Sequence, residues 1–568
     1  MFEALSRYGL HWSFDAAGAA ALGRFEQSLA EAPDLNEDLL AELLRANAHT
    51  VFGEAHRFSK IDSPAAYADM VPLRDYEGYR DWVQRIADGE PNVLTAEPVR
   101  YLGVTSGTTG RGKLVPITAS AQRQIIMHMV LTTRGVMVRH VEGRKPGPGL
   151  LLMSSVLPQT TKGGIPIGTA TAAGLDRMGA MAKLIWTSPL EVFRVRSHRA
   201  AQHLHLLYAL AHRDLSFLSA PFASALVDLL RCLEAEWPLL VEELATGVIS
   251  DTLAIEPELR AKLVLPPDPA RAAVVRAELE QGFERIAPRL WPDLRYVMAV
   301  LTGSFAVYEP PLRRACGELP IYTGLYAASE GLLGIALEPE THRYVLDPQS
   351  MYFEFIPAER SDDPSPPTLP LRYVQRGELY ELVLTTRSGL YRYRLGDVVQ
   401  VVGFRGRAPL VEYAYRRGML LDVASEKTSE PAMRDAVLEA ARHWGTDLVD
   451  FSTRADYASA PSRYEVFVEV TDPGTLDRHG EPARTVDEAL QLGNPGYKLL
   501  RTSGRLAPLT LHLLGPGGFE ALKGLLIEQG ASPVQVKVPR VLVRDDLDRF
   551  VRERVAKTWA ADGVASRA

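Results

Sequence analysis

The pattern of apolar and polar positions alternates between helical and strand-like stretches along most of the chain. From about residue 14 to 100, apolar positions recur at helical spacing, and a strand-like run then covers 99–104. A polar loop follows, after which Thr118 is placed to cap a new helix. The Ala- and Leu-rich stretch 198–245 predicts further helices, broken at Pro221.

Strand signals become dense in the second half of the chain. Short runs rich in β-branched and aromatic residues are typical of strands, and their alternation with helical stretches predicts an α/β fold in which helices cover sheets. The strand-like segments are 297–302, 319–322, 352–355, 379–384 and 398–402. The segment 405–409, rich in Gly, Arg and Pro, is a predicted domain boundary.

Chain length and net charge exclude several classes of protein. A chain of 568 residues predicts two or more domains, and a net charge of -7 with a pI near 6.1 lacks the positive field of a nucleic-acid binder. Two cysteines exclude a disulfide framework, and the apolar run at 150–153 is far too short to span a bilayer. We expect a monomeric cytoplasmic protein without a nucleic-acid or membrane partner, from a GC-rich bacterial genome given its abundant Ala and Arg.

The strongest local signal is the loop Val104–Leu114, which carries three glycines, several hydroxyls and Lys113. Glycines let backbone amides approach an anion, and hydroxyls and a lysine add donors, so the loop can cradle phosphates. From Gly107 it fits G-x-x-x-x-G-K, but Leu114 stands where a P-loop NTPase needs a Ser or Thr for magnesium. An ordinary mobile glycine-rich loop is the alternative interpretation.

Two further motifs carry carboxylates next to small residues. In Tyr322–Gly331, a strand ends in small residues that would let a flat base approach, and Glu330 is a hard oxygen ligand suited to magnesium. In Ser388–Val398, Gly396 is predicted to place Asp397 at a turn, where it can accept both ribose hydroxyls. The alternatives are a turn with a solvated Glu330 and a hairpin with a capping Asp397.

In this order, the three motifs resemble those of the acyl-adenylate-forming ligases. A narrower resemblance is to the Gretchen Hagen family of auxin-responsive acyl-acid amido synthetases, known in plants and also present in bacteria. It is carried by the segments Leu384–Val398, Glu426–Thr428 and Gly530–Arg540. The resemblance runs from about residue 40 to 550.

The resemblance implies a large N-terminal adenylate-forming domain over 1–409, a hinge over 410–416 and a smaller mobile α/β domain over 417–568, with ATP between the domains. Glu330 would bind Mg²⁺, and Lys427 and Lys537 would reach phosphate or the carboxylate as catalytic residues. The residues implied to bind ATP are Thr105, Ser106, Gly107, Thr108, Thr109, Gly110, Lys113, Tyr326, Ala327, Ser329 and Asp397.

The predicted reaction joins a small aryl or hormone-like carboxylic acid to an amino acid through an acyl-adenylate. Such chemistry needs positioning and charge neutralisation rather than a protein nucleophile. His203 and His205, two residues apart on a predicted helix, point apart and favour packing or surface roles over metal binding. An acyl-CoA ligase of the same superfamily and a non-catalytic carboxylate-binding protein remain the alternatives.

Overall fold

The structure is a computed structural model that describes residues 2–105, 113–143, 147–155, 159–168, 185–417, 428–457, 459, 461–531 and 536–561. The chain forms two compact units. The first comprises Met1–Thr105, Lys113–Val300 and Leu312–Tyr413, and the second includes Leu301–Pro311 and the described residues from Ala414 onward. Among the helices described, none is long and apolar enough to cross a membrane.

Within the described ranges, twenty strands form four sheets, in agreement with the predicted α/β fold. Their bounds are β1 Val99–Thr105, β2 Lys113–Thr118, β3 Gly149–Leu151, β4 Gln159–Thr160, β5 Pro166–Gly168, β6 Phe217–Phe222, β7 Tyr296–Val300, β8 Ile321–Tyr322, β9 Leu325–Ala328, β10 Gly331–Ile335, β11 Arg343–Leu346, β12 Met351–Pro357, β13 Leu369–Pro370, β14 Leu379–Thr386, β15 Tyr393–Arg405, β16 Ala408–Arg416, β17 Leu448–Asp456, β18 Arg463–Val470, β19 Thr510–Leu514 and β20 Val555–Ala560.

Helices surround these sheets. In the first unit the α-helices are Phe2–Ser28, Ala32–Ala46, Val51–Ala55, Pro64–Met70, Arg80–Ala87, Ala119–Met127, Thr133–His140, His198–Ala211, Ala223–Thr246, Pro257–Arg260, Pro269–Leu279 and Ile286–Leu290. Glu309–Cys316 crosses between the units along the chain. The second unit adds Glu430–Trp444, Gly474–His479, Pro482–Gly493, Pro495–Thr502, Gly518–Glu528 and Asp545–Arg552.

The first unit holds three of the four sheets. The largest has the order β13-β12-β14-β15-β16-β11-β10-β9, so the hairpin of β9 and β10 lies at one edge. A second sheet has the order β2-β1-β5-β4, and a third, β3-β6-β7-β8, is parallel throughout. Parallel strands are buried on both faces, which explains why β3 and β7 are short runs of apolar residues.

The second unit is an independent α/β block. Its sheet has the order β17-β18-β19-β20, and Phe467, Leu514, Phe519, Leu522 and Leu547 belong to a buried cluster of its own. A separate core is what a separately folding domain requires. The hinge over 410–416 and the mobility of the smaller domain stay predictions.

The sequence predicted an interruption of the helices at Pro221, and the structure has a β-strand there. Instead of helices interrupted by a proline, β6 separates the helices His198–Ala211 and Ala223–Thr246. Pairing of β6 with β7 shifts register between Ser219 and Phe222, so Pro221 sits where a ladder hydrogen bond is missing in any case. A short apolar run such as 217–222 cannot be assigned to helix or strand by periodicity alone.

The helix that follows β2 begins as predicted, and a π-helical segment follows it. Thr118 accepts a hydrogen bond from the Ala121 amide at 3.4 Å, which caps the helix Ala119–Met127. The chain continues through a π-helical segment, His128–Thr132, into the helix Thr133–His140. π-Helical turns are rare and are often found at functional sites.

A buried ion cluster joins two helices behind the parallel sheet. His203 on the helix His198–Ala211 contacts Glu236 at 2.6 Å and Glu243 at 2.5 Å, and these two carboxylates lie on either side of Pro238 in the helix Ala223–Thr246. His205 instead contacts Ser188 at 2.8 Å, so the two histidines do point apart. We call His203, Glu236 and Glu243 the His203 cluster. It spans the proline, which interrupts the helical hydrogen bonding.

Candidate functional site

The base of the predicted phosphate loop is a pair of registered strands. In the antiparallel pairing of β1 with β2, Thr105 faces Lys113 and Val104 faces Leu114. Lys113 is half-buried. The five predicted loop residues Ser106, Gly107, Thr108, Thr109 and Gly110 lie outside the described residues.

The second motif forms a tight hairpin. β9 and β10 are antiparallel, with Ala328 opposite Gly331, and Ser329 and Glu330 make the connecting turn. Glu330 is only 9% exposed, so the alternative of a solvated turn carboxylate is wrong. Its neighbour Ala327 is exposed, which leaves the surface around it open to a flat ligand.

One hydrogen bond brings the second and third motifs together. The Tyr326 hydroxyl donates to an Asp397 carboxylate oxygen at 2.9 Å, across 71 positions of sequence. Asp397 is 4% exposed. Tyr326, expected at the adenine, and Asp397, expected at the ribose, are therefore neighbours in the folded chain.

Asp397 does not lie at a turn between two strands, as the sequence predicted. It lies inside β15, at a bulge: Glu381 pairs with Val398 and Val383 with Arg394, so that 395–397 lie opposite a single residue of β14. Gly396 has a φ of 86°, which only glycine adopts readily, and this explains the glycine before Asp397. The hairpin with a capping Asp397 is wrong for the same reason.

The two arginines of the third motif serve the fold. Arg392 binds Glu354 at 3.0 Å and the carbonyls of Ala68 and Val71 at 2.6 and 2.7 Å. Arg394 makes two hydrogen bonds to Glu381, at 2.9 and 2.6 Å. Bidentate pairs of this kind fix geometry. The arginines therefore hold β15 in place around the bulge that carries Asp397.

A tyrosine that the motifs do not include lies at the end of the phosphate loop. The Tyr76 hydroxyl accepts from the Leu114 amide at 2.7 Å and donates to the Leu114 carbonyl at 3.0 Å. The Lys113 ammonium lies 5.5 Å from the centre of the Tyr76 ring. Burial raises the pKa of Tyr76, and the charges of Glu77 and Glu330 add to the rise, which places both carboxylates within electrostatic reach of its hydroxyl. We call Tyr76, Lys113 and Glu330 the Lys113 cluster.

Sequence reasoning missed Tyr76 because it lies in the stretch 14–100 that was interpreted only as helical. The signal available was local: the polar run Arg74-Asp75-Tyr76-Glu77 interrupts the helical periodicity. Tyr76 is 5% exposed, and its two polar contacts are to the strand at the end of the loop.

Among the described residues, the Lys113 cluster holds charges that form no close ion pair, although Glu77 lies within electrostatic reach of Lys113. In the part of the chain that the structure describes, neither Lys113 nor the Glu330 carboxylate forms an ion pair within 4.0 Å. A carboxylate that is nearly buried without a cation is costly, so a bound cation or donor from solution would stabilise it. Within the same described ranges, no group of three or more His, Cys, Asp or Glu side chains could hold a metal ion.

The C-terminal candidates lie in the second unit. Lys427 lies outside the described residues. Lys537 is exposed, and its ammonium is 5.0 Å from the centre of the Phe305 ring. Arg540, from the same motif, is 3% exposed, contacts Asp450 and donates to the Phe451 carbonyl at 2.6 Å. The C-terminal motif therefore combines an exposed lysine with an arginine of the core.

Neither cysteine is suited to nucleophilic chemistry. Cys316 is buried and Cys232 half-buried, and both thiols are free. Burial raises the pKa of each thiol to about 12, so both stay protonated near neutral pH. This agrees with a reaction that needs no thiol intermediate on the protein.

Comparison with known proteins covers nearly the whole chain. The GH3 family N-terminal domain matches residues 21–321, the GH3 family central domain 344–416 and the GH3 family C-terminal domain 432–545. The indole-3-acetic acid-amido synthetase GH3.8 of Oryza sativa subsp. indica is 30% identical over 578 residues, which cover 96% of this chain and 94% of that protein.

Solved structures agree with these matches. The acyl acid amido synthetase AtGH3.15, in complex with 2,4-DB, is similar with a TM-score of 0.86 and 27% identity, covering 98% of this chain and 99% of that chain. A 2-hydroxyisobutyryl-CoA ligase in its postadenylation state is similar with a TM-score of 0.52 and 12% identity, covering 94% and 91%. The second likeness is one of fold.

Proposed function

This chain belongs to the GH3 family and is an acid–amino acid ligase that acts through an acyl-adenylate, and from this premise we propose its substrates and the roles of its residues. The substrates are a small aryl or hormone-like carboxylic acid, ATP with Mg²⁺, and a free amino acid. The observation that carries the proposal is the 2.9 Å hydrogen bond from Tyr326 to Asp397, which joins two motifs expected to hold one nucleotide.

The first half-reaction consumes ATP. The acid's carboxylate attacks the α-phosphate, an acyl-adenylate forms and pyrophosphate leaves. The loop from Thr105 to Lys113 would hold the phosphates, Tyr326 with Ala327 and Ser329 would border the adenine, and Asp397 would accept the ribose hydroxyls. Such a site works by orientation and by donors aimed at developing charge.

Magnesium fits the donor set of the hairpin. This ion keeps several waters and is usually bound by one or two carboxylates together with substrate phosphates. Glu330 supplies a nearly buried carboxylate with no cation of its own among the described residues. When bound, the ion would neutralise phosphate charge while Glu330 fixes its position.

The second half-reaction transfers the acyl group to an amine. An uncharged amino group attacks the acyl carbonyl, the amide bond forms, and AMP leaves. The protein's task is to orient the amine, accept its proton and exclude water. We assign Lys427 and Lys537 to the phosphate or the carboxylate during these steps. We place the acyl pocket between the helical segment 122–136 and the segment 216–226.

The experiment that tests this function has two stages. Purified protein is incubated with ATP, Mg²⁺ and single aryl acids, including indole-3-acetic acid, and pyrophosphate release is measured. Acids that release pyrophosphate are then offered pooled amino acids in one tube and CoA in another, with products identified by mass spectrometry. The Asp397→Asn variant is the comparison, since it keeps one acceptor oxygen but loses the charge and the second acceptor of the proposed ribose site, and it should release pyrophosphate more slowly.

We expect acid-dependent pyrophosphate release and an amide product. A thioester formed with CoA and no amide would replace the amide assignment with the acyl-CoA ligase alternative. Absence of acid-dependent pyrophosphate release across a broad acid panel would contradict adenylation itself.

A further inference from the structure

We propose that Tyr76 is a positioning residue of the adenylation reaction, which fixes the end of the phosphate loop and the direction of Lys113. The inference rests on the proposed function of that loop. Tyr76 lies outside all three motifs, and both its hydroxyl and its ring contact the end of the loop.

The Tyr76 hydroxyl secures an exposed edge of the sheet. β2 is the edge strand of its sheet, so the backbone groups on its outer side have no neighbouring strand. The amide and carbonyl of one residue in a strand point to the same side, and the Tyr76 hydroxyl serves both groups of Leu114, at 2.7 and 3.0 Å. One side chain therefore replaces the missing strand at the residue directly after Lys113.

This contact sets the register of the loop's base. Leu114 pairs with Val104 and Lys113 with Thr105, so both ends of the loop are defined by this pairing. Tyr76 holds β2 from its outer side and β1 holds it from its inner side. Loss of the hydroxyl would leave the first residues of β2 with one anchor in place of two.

The Tyr76 ring acts on Lys113 directly. The ammonium lies 5.5 Å from the ring centre, within the range of a cation–π contact. Arg80 lies over the same ring at 5.3 Å, but its charge is engaged by Glu77, at 2.8 Å. Among the described residues no carboxylate lies within 4.0 Å of the Lys113 ammonium, although Glu77 is close enough for the charge of Lys113 to help lower its pKa. The ring therefore contacts Lys113 without neutralising it and leaves the ammonium available to a phosphate.

Tyr76→Phe tests the hydroxyl while keeping the ring. The affinity for ATP with Mg²⁺ is measured by titration calorimetry without any acid, so no knowledge of the acyl substrate is needed. Both hydrogen bonds to Leu114 are lost, and since they act on ATP only through the end of the loop, we expect the Kd for ATP to rise about five- to tenfold. Circular dichroism checks that each variant is fully folded, because reversible unfolding would raise the apparent Kd.

Tyr208→Phe is the matched control. Tyr208 is 7% exposed, against 5% for Tyr76, and its hydroxyl donates to the Val264 carbonyl at 3.2 Å. It therefore loses the same kind of bond in the same unit, away from β2. We expect its Kd for ATP to equal that of the parent; equal changes in the two variants would make the effect of Tyr76 a general loss of stability.

A double-mutant cycle with Lys113→Ala shows whether Tyr76 acts through Lys113. We expect Tyr76→Phe to weaken ATP binding less than twofold once Lys113 is absent. Full additivity of the two changes would overturn the inference while leaving the function intact. A parent protein that fails to bind ATP at all would instead contradict the proposed function.

Discussion

The His203 cluster and the Lys113 cluster both bury charged groups in the first unit, but they treat those charges in opposite ways. In the His203 cluster, each imidazole nitrogen meets a carboxylate, Glu236 also binds Arg199 at 2.6 Å, and Glu243 also accepts from the Ser250 amide at 2.7 Å. In the Lys113 cluster, the Tyr76 ring lies 5.5 Å from the Lys113 ammonium and its hydroxyl binds the backbone of Leu114, and no ion pair within 4.0 Å involves Lys113 or Glu330 among the described residues.

The difference separates structural charge from functional charge. A closed cluster satisfies its own groups and gains stability from its geometry. An open cluster leaves charged groups available to bind a ligand. Without the ligand, these unneutralised charges make the folded state less stable. Substitutions in the closed cluster should therefore change stability first, and substitutions in the open cluster should change activity first.

The largest expected effect is a loss of folding stability in the Glu243→Ala variant. It leaves His203 with one carboxylate and the Ser250 amide without its acceptor, and breaking a buried pair typically costs about 3–5 kcal/mol. Urea unfolding measures the free energy, and pyrophosphate release per folded molecule should not change. Glu242→Ala, on the exposed face one residue away, is the control. Equal stability of the two variants would contradict a closed cluster.

Lys113→Ala should give the next largest effect, and on activity. Loss of a donor aimed at the transition state typically costs about 2.7–4 kcal/mol, or roughly 100- to 1000-fold in rate. Since the described residues offer Lys113 no ion pair, the melting temperature should not change. Lys262→Ala, an exposed lysine of the same unit, is the control. A folded Lys113→Ala variant with the parent's rate of pyrophosphate release would remove Lys113 from the site.

Glu330→Gln should raise the magnesium requirement and lower turnover. A charged hard ligand becomes neutral, so we expect the magnesium concentration at half-maximal rate to rise about tenfold. Because no cation of the described residues lies within ion-pair distance of this carboxylate, the melting temperature of the variant should stay equal or rise. Exposed Glu338→Gln serves for comparison. Coinciding magnesium curves for Glu330→Gln and the parent would make Glu330 a structural residue.

The smallest expected effect is the change in folding stability with pH that the titration of His203 causes. Burial alone favours the neutral ring of His203, but hydrogen bonds and charge from Glu243 and Glu236 outweigh it, and the pKa is raised above 6.5. The other charged and titratable groups nearby are Arg199 and Cys232, which interact with Glu236. The contribution of His203 is therefore complete below pH 6.5 and is lost as pH rises through the raised pKa.

Each unit of pKa difference corresponds to about 1.4 kcal/mol. The free energy of unfolding, measured from pH 6 to 9, should fall more steeply in the parent than in His203→Gln. His443→Gln changes an exposed histidine and should follow the parent. Parallel curves for the parent and His203→Gln would show that His203 is neutral in the folded protein.

The sequence predicted most of the elements that carry the site. Dense runs of β-branched and aromatic residues located β7, β12 and β14, because such runs fit a buried, pleated surface. The carboxylates Glu330 and Asp397 could be chosen from short motifs, since turn and bulge glycines stand beside them. Sequence patterns were therefore sufficient for the features that depend mainly on neighbouring residues in the chain.

What the sequence could not predict depends on partners that lie far along the chain. The bulge at Gly396 exists only because β14 pairs with β15 in one register, and the motif alone was equally compatible with a turn. Tyr76 meets Leu114 across 38 positions, a contact that no periodicity encodes. Burial of Glu330 likewise follows from packing around the hairpin, which its neighbours in sequence do not reveal.

The π-helical segment His128–Thr132 has a consequence for comparing this chain with its relatives. A π-turn accommodates one residue more than an α-turn, so it is equivalent to a single inserted residue. Since each residue of an α-helix advances by about 100°, deleting that residue would turn the helix Thr133–His140 by about as much. A relative that has a regular α-helix here should therefore show a one-residue gap when the two sequences are aligned. Because of the rotation, side chains before the gap and side chains after it should be superposed separately.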